Sequence, residues 1–331
     1  MTCSEILEGA SSVRALVIGD ICLDRWCTYD PALAEPSRET GIPRCAVTET
    51  VCTPGAGGTV ASNLKSLGAG RVSVIGAIGR DGAGRDLREA LDRASIESNL
   101  LLEWPGRQTF TYTKLINSET GVEDLPRVDF VNSEPLDPAN EHALVGTSWD
   151  SLEEFNTVIV ADQAETAHGG TVTDNVRKNI CGVVAQCPGA VFVADSRRRV
   201  EHFRNVIATP NESEAAAACR RAFGVVDYAR LHRLIGGPAT VVTAAERGAW
   251  LIDDDGERLL PAPQGVPVVD PCGAGDSLSA GFALALAAGA GTEAALRFGI
   301  IVAAVTVGKR GTGKATVEEV LELAATTELG G

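Results

Sequence analysis

Short, wholly apolar, β-rich runs alternate with helical patterns along most of this chain, and that alternation limits the possible folds more than any other feature. Residues 15–18, 72–75, 157–160, 191–193, 240–242 and 250–252 read as strands. Between them a 3.6-residue period predicts helices over 86–94, 173–185, 212–222 and 228–234, with 63–67 part of another. A strand apolar on both sides must be covered on both sides. The expected fold is therefore α/β: a doubly wound, mostly parallel sheet with helices on both faces. The Ala-rich last third adds helices over 277–288 and 292–305. Two stretches break the pattern. Residues of about 24–52 hold three prolines and no helical period, and those of about 107–132 alternate polar and apolar types. Both read as antiparallel ribbons that project from the main sheet and pair into a small β lid. There is no internal repeat and no linker, so residues 1–331 are expected to form one domain with two inserted lid ribbons.

Composition removes several function classes. With 29 Lys and Arg against 44 Asp and Glu, the net charge is −15. A binder of phosphate backbones needs a cationic face, and the only basic run is Arg197-Arg198-Arg199, so nucleic acid is not an expected partner. The apolar runs 282–290 and 300–307 fall short of the ~18 residues of a membrane span. Glu5 and Glu8 stand where a signal peptide would be apolar. The nine cysteines are scattered, with no Cys-x-x-Cys pair and no zinc spacing, and read as small buried thiols in a reducing compartment. A cytoplasmic protein with no membrane contact is expected.

The sharpest constellation is Asp270-Pro-Cys-Gly-Ala-Gly-Asp276-Ser, running into an apolar helix near Leu278. Small residues at 273–275 let backbone N–H groups close on a ligand, and a helix start adds the positive end of its dipole. Asp276 beside such an anion hole would repel a phosphate. It makes sense as the base that takes a proton from a hydroxyl attacking a phosphoryl group held there. The competing reading, an Asp that merely supports the helix start, stands level with it on spacing alone.

Other motifs are weaker. Gly308-Lys-Arg-Gly-Thr-Gly-Lys314-Ala315 is one residue short of a P-loop, and Ala315 replaces the Ser/Thr that ligates Mg²⁺. A glycine-rich loop near a nucleotide is the remaining reading. Gly68-Ala-Gly70 leads into a strand and Gly82-Ala-Gly84 lacks a third glycine, so dinucleotide fingerprints fail. The histidines at 142, 168, 202 and 232 form no metal pair and read as surface residues.

Asp270-Pro-Cys-Gly-Ala-Gly-Asp276 resembles the Asp-Thr-x-Gly-Ala-Gly-Asp signature of the ribokinase-like (PfkB) carbohydrate kinases. Four further segments resemble the same family in the expected order: Gly19-Asp20-Ile-Cys-Leu-Asp24, the Gly-rich segment from Pro54 to Gly68, Thr209-Pro-Asn211-Glu-Ser-Glu214, and Val241-Val-Thr243 through Gly248. Within the family the chain is most similar to the heptose-7-phosphate kinases of the ADP-heptose pathway, through Gly19–Arg25, Ser37-Arg38 with Pro43, Thr113-Lys114 with Arg127-Val-Asp129, and Val307-Gly-Lys-Arg-Gly-Thr312. Some of those kinases are fused to an adenylyltransferase, which is not expected within these 331 residues.

The resemblance implies an ATP- and Mg²⁺-dependent kinase acting on a hydroxyl of a sugar or sugar phosphate, best a heptose 7-phosphate. It implies Asp276 as base, with Gly273, Ala274 and Gly275 donating amides to the phosphoryl group. Asp20, Asp24, Gly55, Thr59 and Asn63 would line the sugar, with Arg38, Lys114 and Arg127 over it from the lid. Asn211 and Glu214 would hold Mg²⁺ through water. Arg197, Thr243, Gly248, Lys309 and Gly311 would join them around ATP, and Asp270 would help bind a monovalent cation such as K⁺. A homodimer through the lid is implied as well. Departures from the family pattern fall at Ala56 and Thr59 in the sugar segment, at Gln163–Gly170 after the strand ending at Asp162, and at Ala245 in the nucleotide turn. They keep open a kinase of the fructose, ribose or adenosine type, and a non-catalytic sugar or nucleotide sensor on the same fold.

Overall fold

The computed structural model describes residues 1–327, apart from the side chains of 149–151. A helix, α1 (Cys3–Gly9), leads into β1 (Arg14–Gly19), and the chain leaves the sheet at once through β2 (Ile21–Tyr29) and β3 (Val47–Ala56). It returns by α2 (Gly57–Ser66), β4 (Arg71–Gly79), α3 (Gly82–Arg93) and β5 (Leu101–Trp104), then leaves again as β6 (Thr111–Asn117) and β7 (Val128–Phe130). The second half runs α4 (Pro138–Ser151), β8 (Thr157–Asp162), α5 (Asp174–Val183), β9 (Val191–Ser196), β10 (Ile207–Ala208), α6 (Glu212–Phe223), α7 (Tyr228–Ile235) and β11 (Thr240–Thr243). It closes with β12 (Ala249–Asp253), β13 (Gly256–Leu260), α8 (Ala274–Ala287), α9 (Thr292–Val307) and α10 (Val317–Thr326).

Nine strands form one sheet in the order β13-β12-β11-β10-β9-β8-β1-β4-β5. It is parallel from β5 to β11, and β12 and β13 add antiparallel strands at the edge. The short turn from β11 to β12 accounts for the change of direction, because a parallel partner would need a long crossover. The doubly wound reading is correct. Along β1, Ala15 and Val17 enter the core shared with α2, α8 and α9, while Leu16 and Ile18 enter the core beneath α4 to α7. That two-sided burial is what the unbroken apolar runs encode.

The two lid ribbons share a second sheet, ordered β3-β2-β6-β7. The expectation of purely antiparallel ribbons needs correction. β2/β3 and β6/β7 are antiparallel, but β2 and β6 pair in parallel. The excursion through α2, β4, α3 and β5 supplies the crossover such a pair requires. The ribbon also begins earlier and ends later than expected, at Ile21 and Ala56. The expected start of α8 near Leu278 is likewise corrected. The helix begins at Ala274, capped by Gly273 in the left-handed region (φ 78°).

Two smaller expectations fail. His232 is buried and its Nδ1 shares a hydrogen bond with Thr240 Oγ1 at 3.2 Å, so it is a core group rather than a surface one. All nine cysteines are free, but only Cys3, Cys22, Cys27 and Cys219 are buried, and Cys45 is exposed. Among the described residues no helix is long and apolar enough to cross a membrane.

Candidate active site

The catalytic-looking turn is built by two loops tied to one carboxylate. Asp270 accepts the Cys272 amide at 2.9 Å through Oδ1 and the Gly311 amide at 3.1 Å through Oδ2. This fastens the loop before α8 to the loop after α9. The left-handed Gly273 then starts α8; the Ala274 amide, expected to serve an anion, is instead donated to the Pro271 carbonyl at 3.2 Å, while the first-turn amides of Gly275 and Asp276 have no intrahelical acceptor and stand ready for one. Thr59 closes the hole from α2, since a Cβ on Gly273 would touch its Cγ2 at 3.4 Å.

Asp276 occupies the third helical position, where a capping carboxylate would reach back to the cap residue. No side chain caps this helix. The alternative that Asp276 caps the helix start is therefore not realised. Its carboxyl is pushed up to about 7, mainly by burial; Arg197 opposes the rise, while Asp24 and Glu214 add to it. A carboxyl with that affinity for protons, half-buried beside an anion hole, suits a general base working near neutrality.

Asn211 and Glu214 behave in the opposite way. Asn211 Oδ1 accepts the Glu214 amide and Glu214 Oε2 accepts the Asn211 amide, both at 2.9 Å, a complete capping box on α6. The pair has a structural duty whatever else it does. Glu214 lines a recess with Arg197 and Ser213, and burial raises its pKa. Among the described residues no group of three or more His, Cys, Asp or Glu could hold a metal. The acidic groups that do converge (Asp195, Glu214, Asp276) suit an ion that keeps its water and leans on substrate phosphates, as Mg²⁺ does.

On the sugar side the expected residues separate. Asp24 is buried on β2, with its carboxyl pushed up to about 6 by burial against the pull of Thr312, Lys114, Arg127 and Arg197. Thr312 Oγ1 donates to Asp24 Oδ2 over a long 3.4 Å. Gly55 backs it from β3, and a side chain there would collide with the carboxylate. Lys114 lies over the Trp26 ring at 4.6 Å and 3.7 Å from Glu123, while Arg127 stacks on Tyr112 at 5.1 Å and holds Asp129 at 2.7 Å. Register puts Asp24, Trp26, Tyr112 and Lys114 on one lid face.

Other candidates are engaged elsewhere. Asp20 is fully occupied by the amides of Gln163, Ala164 and Thr171 at 2.7–2.9 Å and shapes the turn after β8. Asn63 is wholly buried, donating to Thr59 O and Ser277 Oγ and accepting the Ala315 amide. Arg38 is exposed on the lid loop.

A cleft of about 580 Å³ opens beside the anion hole, between Asn211, Thr243, Ala245 and Gly248 on one side and Ala274, Gly275, Leu278, Ala303 and Val307 on the other. Its apolar walls suit a flat base and its inner end reaches the free amides. Gly248 (φ 104°) cannot carry a side chain, which would run into the Leu260 carbonyl. Lys309 and Gly311 do not line this cleft. Lys309 donates to Glu319 and to the Lys314 carbonyl at 2.6 Å, and Gly311 packs on Trp26. A larger cavity of about 930 Å³, lined by Arg25, Asp86 and Arg107, lies behind the lid and holds none of the expected residues.

Several groups at the site were not anticipated. Asp195 is buried with its pKa raised well above the usual range, chiefly by burial and then by Asp276 and Glu214. Gln163 donates to it at 2.8 Å, and Arg197 is held by Gln163 and Glu165 at 2.7 Å each. Asp162 and Asp195 both stand at carboxyl ends of adjacent parallel strands, where open α/β sheets bind ligands, and that was the available signal.

Comparison with known proteins shows the family and the fold. Residues 16–319 match the pfkB family of carbohydrate kinases. The bifunctional protein HldE of Nitrobacter hamburgensis is 32% identical over 315 residues, and that of Granulibacter bethesdensis 31% over 322. These cover 93% of this chain but 63% and 64% of the relatives, so the chain spans a little under two thirds of their length. Ribokinase from Thermotoga maritima superposes with a TM-score of 0.69, and phosphofructokinase-2 from Escherichia coli, solved in complex with potassium, with 0.72. Each is 19% identical and covers 95% of this chain and 99% of its own, a likeness of fold. The chain belongs to the pfkB family and is a carbohydrate kinase with a ribokinase-like fold.

Proposed function

We propose that this pfkB-family kinase transfers the γ-phosphoryl group of ATP, with Mg²⁺, to a hydroxyl of a sugar that already carries a phosphate, a heptose 7-phosphate fitting best. The observation that carries the phosphosugar reading is the pair of cations, Lys114 and Arg127, on the lid beside Asp24. In a chain of net charge −15 they offset the repulsion an anionic substrate would meet. A neutral-sugar kinase is the second reading, favoured by the pairing of Arg127 with Asp129 and of Lys114 with Glu123.

In either reading Asp24 accepts hydrogen bonds from sugar hydroxyls and orients one of them toward Asp276. Asp276 takes the proton of that hydroxyl as its oxygen attacks phosphorus. The amides of Gly275 and Asp276 donate to the phosphoryl oxygens whose charge grows in the transition state. Mg²⁺, held through water near Asn211 and Glu214, would neutralise charge between the transferred group and the departing phosphates. A K⁺ at Asp270 would share a carboxylate that already accepts two amides. The lid edges β3 and β7 are proposed to pair with a second copy of the chain. Nine free thiols fit a reducing cytoplasm.

The test is ADP release over a panel of sugars and sugar phosphates with Mg²⁺, repeated with Lys114→Met and Arg127→Met. A phosphate clamp predicts KM losses of about 1–3 kcal/mol per charged hydrogen bond for the phosphorylated sugar alone. Equal losses on both forms would leave the neutral-sugar reading. Tight ATP binding with no turnover of any acceptor would make the protein a sensor.

A further inference from the structure

We infer that Gln163 is a positioning residue that holds Arg197 with the Nη2 of its guanidinium open to the phosphoryl group in transfer. The inference rests on the kinase reading above. Gln163 follows β8 directly, and its own amide donates to Asp20 Oδ2 at 2.9 Å, so its backbone is fixed. Its side chain is buried between two charged groups. Nε2 donates to Asp195 Oδ2 at 2.8 Å, and Oε1 accepts from Arg197 Nε at 2.7 Å. Glu165 Oε1 takes Arg197 Nη1 at 2.7 Å. The Arg197 amide donates to the Asp162 carbonyl at 3.1 Å, fixing the root of the side chain.

Two of the three guanidinium nitrogens are thereby tied, Nε on one side of the fork and Nη1 on the other, with Nη2 between them. Among the described residues Nη2 carries no hydrogen bond. Arg197 lines a recess with Arg198, Ser213 and Glu214, next to the cleft that ends at the anion hole. A planar fork held at Nε and at Nη1 presents the remaining nitrogen, Nη2, in a fixed direction. Only an amide can fill position 163 in this way, because one atom must donate to Asp195 and the other must accept from Arg197. A glutamate would set a second carboxylate against Asp195, and a methionine would lose both contacts.

Arg197 is also the cation that acts on Asp276. The other titratable groups facing Asp276 are Asp24 from β2, Asp195 from β9, Glu214 from α6 and Cys272 from the preceding loop; Asp24 and Glu214 raise its proton affinity and Arg197 lowers it. If Gln163 aims Arg197, loss of Gln163 must be felt at Asp276, a group it does not touch.

The experiment compares wild type, Gln163→Met, Arg197→Met and the double variant by kcat, by KM for ATP and for the acceptor, and by kcat against pH. Each single variant is expected to lose ~10-fold or more in kcat, within the ~10²-fold that a misplacement of about 1 Å can cost. Each should also move the acid limb of the profile to higher pH. The double variant should be no worse than Arg197→Met, since contacting residues that act as one are not additive. A Gln163→Met protein that folds but keeps the wild-type acid limb, or whose loss multiplies with that of Arg197→Met, overturns the inference and leaves Gln163 a turn-forming residue. Should Gln163→Met not fold, Glu165→Gln decides instead. That anchor is exposed, and its loss must shift the limb in the same direction or the inference falls. A wild-type protein that phosphorylates no acceptor would sink the kinase reading, which is a different result from an active enzyme with no coupling.

Discussion

Gly55 stands directly behind the Asp24 carboxylate: a Cβ placed on Gly55 would lie 2.5 Å from Asp24 Cγ. The clash is with the end of a short side chain rather than with backbone, so Gly55→Ala is expected to fold and to turn Asp24 away. A misdirected carboxylate loses hydrogen bonds to sugar hydroxyls worth about 1.5–3 kcal/mol when one partner is charged. KM for the sugar should therefore rise at least ~10-fold while KM for ATP stays put. Steady-state kinetics with each substrate varied in turn checks this, and equal KM changes for both would mean that Asp24 does not touch the sugar.

Asp276→Asn should cut turnover by at least ~10²-fold, the lower end of general-base contributions. Because the base works only when deprotonated, wild-type kcat should climb with pH through about 7. The same shift has a consequence for stability. The folded-state pKa of Asp276 is raised above the ordinary 3.8, so the native state holds the proton more tightly than the unfolded chain. That contribution is present in full below pH 4 and is lost as pH rises through about 7. Asparagine removes the dependence, so Asp276→Asn should melt higher than wild type at pH 8, with the gap closing toward pH 4. The helix-dipole benefit it forfeits is at most about 1 kcal/mol, smaller than a shift from 3.8 to about 7 implies at about 1.4 kcal/mol per unit. Calorimetry at the two pH values would show it.

What could be read in advance was whatever the chain encodes locally. Gly273–Asp276 is legible because small residues ahead of an apolar run define a helix start within a few positions. Asn211 and Glu214 are legible for the same reason, but their spacing suits a capping box as well as a metal site, and the box is what forms. The Gln163–Asp195–Arg197 cluster was hidden because its members meet across two parallel strands, and only the β8/β9 register brings them together. α4 escaped notice because Ala143, Leu144 and Val145 run together without a helical period. The parallel joining of the lid ribbons depends on a crossover of two helices and two strands that no local pattern announces.

The lid sheet ends on β3 and β7, with Val47 and Val51 exposed on one edge strand and Val128 and Phe130 on the other. Open edges bearing apolar side chains invite pairing, and proteins commonly cover them. A homodimer through the lids is expected at micromolar concentration. Val128→Lys with Phe130→Asp should give a folded monomer. Light scattering on both proteins decides, and a monomeric wild type would end the proposal.

Ala56 and Ala245 both hold positive φ, 51° and 50°, at two turns where the chain departs from the family pattern. Their responses to glycine should nevertheless differ. Ala245 is exposed, so Ala245→Gly removes left-handed strain of about 1–2 kcal/mol against a gain of about 0.4–1 kcal/mol in unfolded-chain entropy. A net stabilisation of up to about 1.6 kcal/mol follows. Ala56 is half-buried, and its methyl packs on the cluster of Cys22, Phe110 and Ala164. Removing that methyl costs about 0.8 kcal/mol in burial on top of the entropy term, which offsets relief of about 1–3 kcal/mol of strain. Ala56→Gly should therefore lie close to neutral in stability. Urea midpoints of the two variants test the pair. If Ala56→Gly proved the more stabilising, the Ala56 turn would hold more strain than its packing returns.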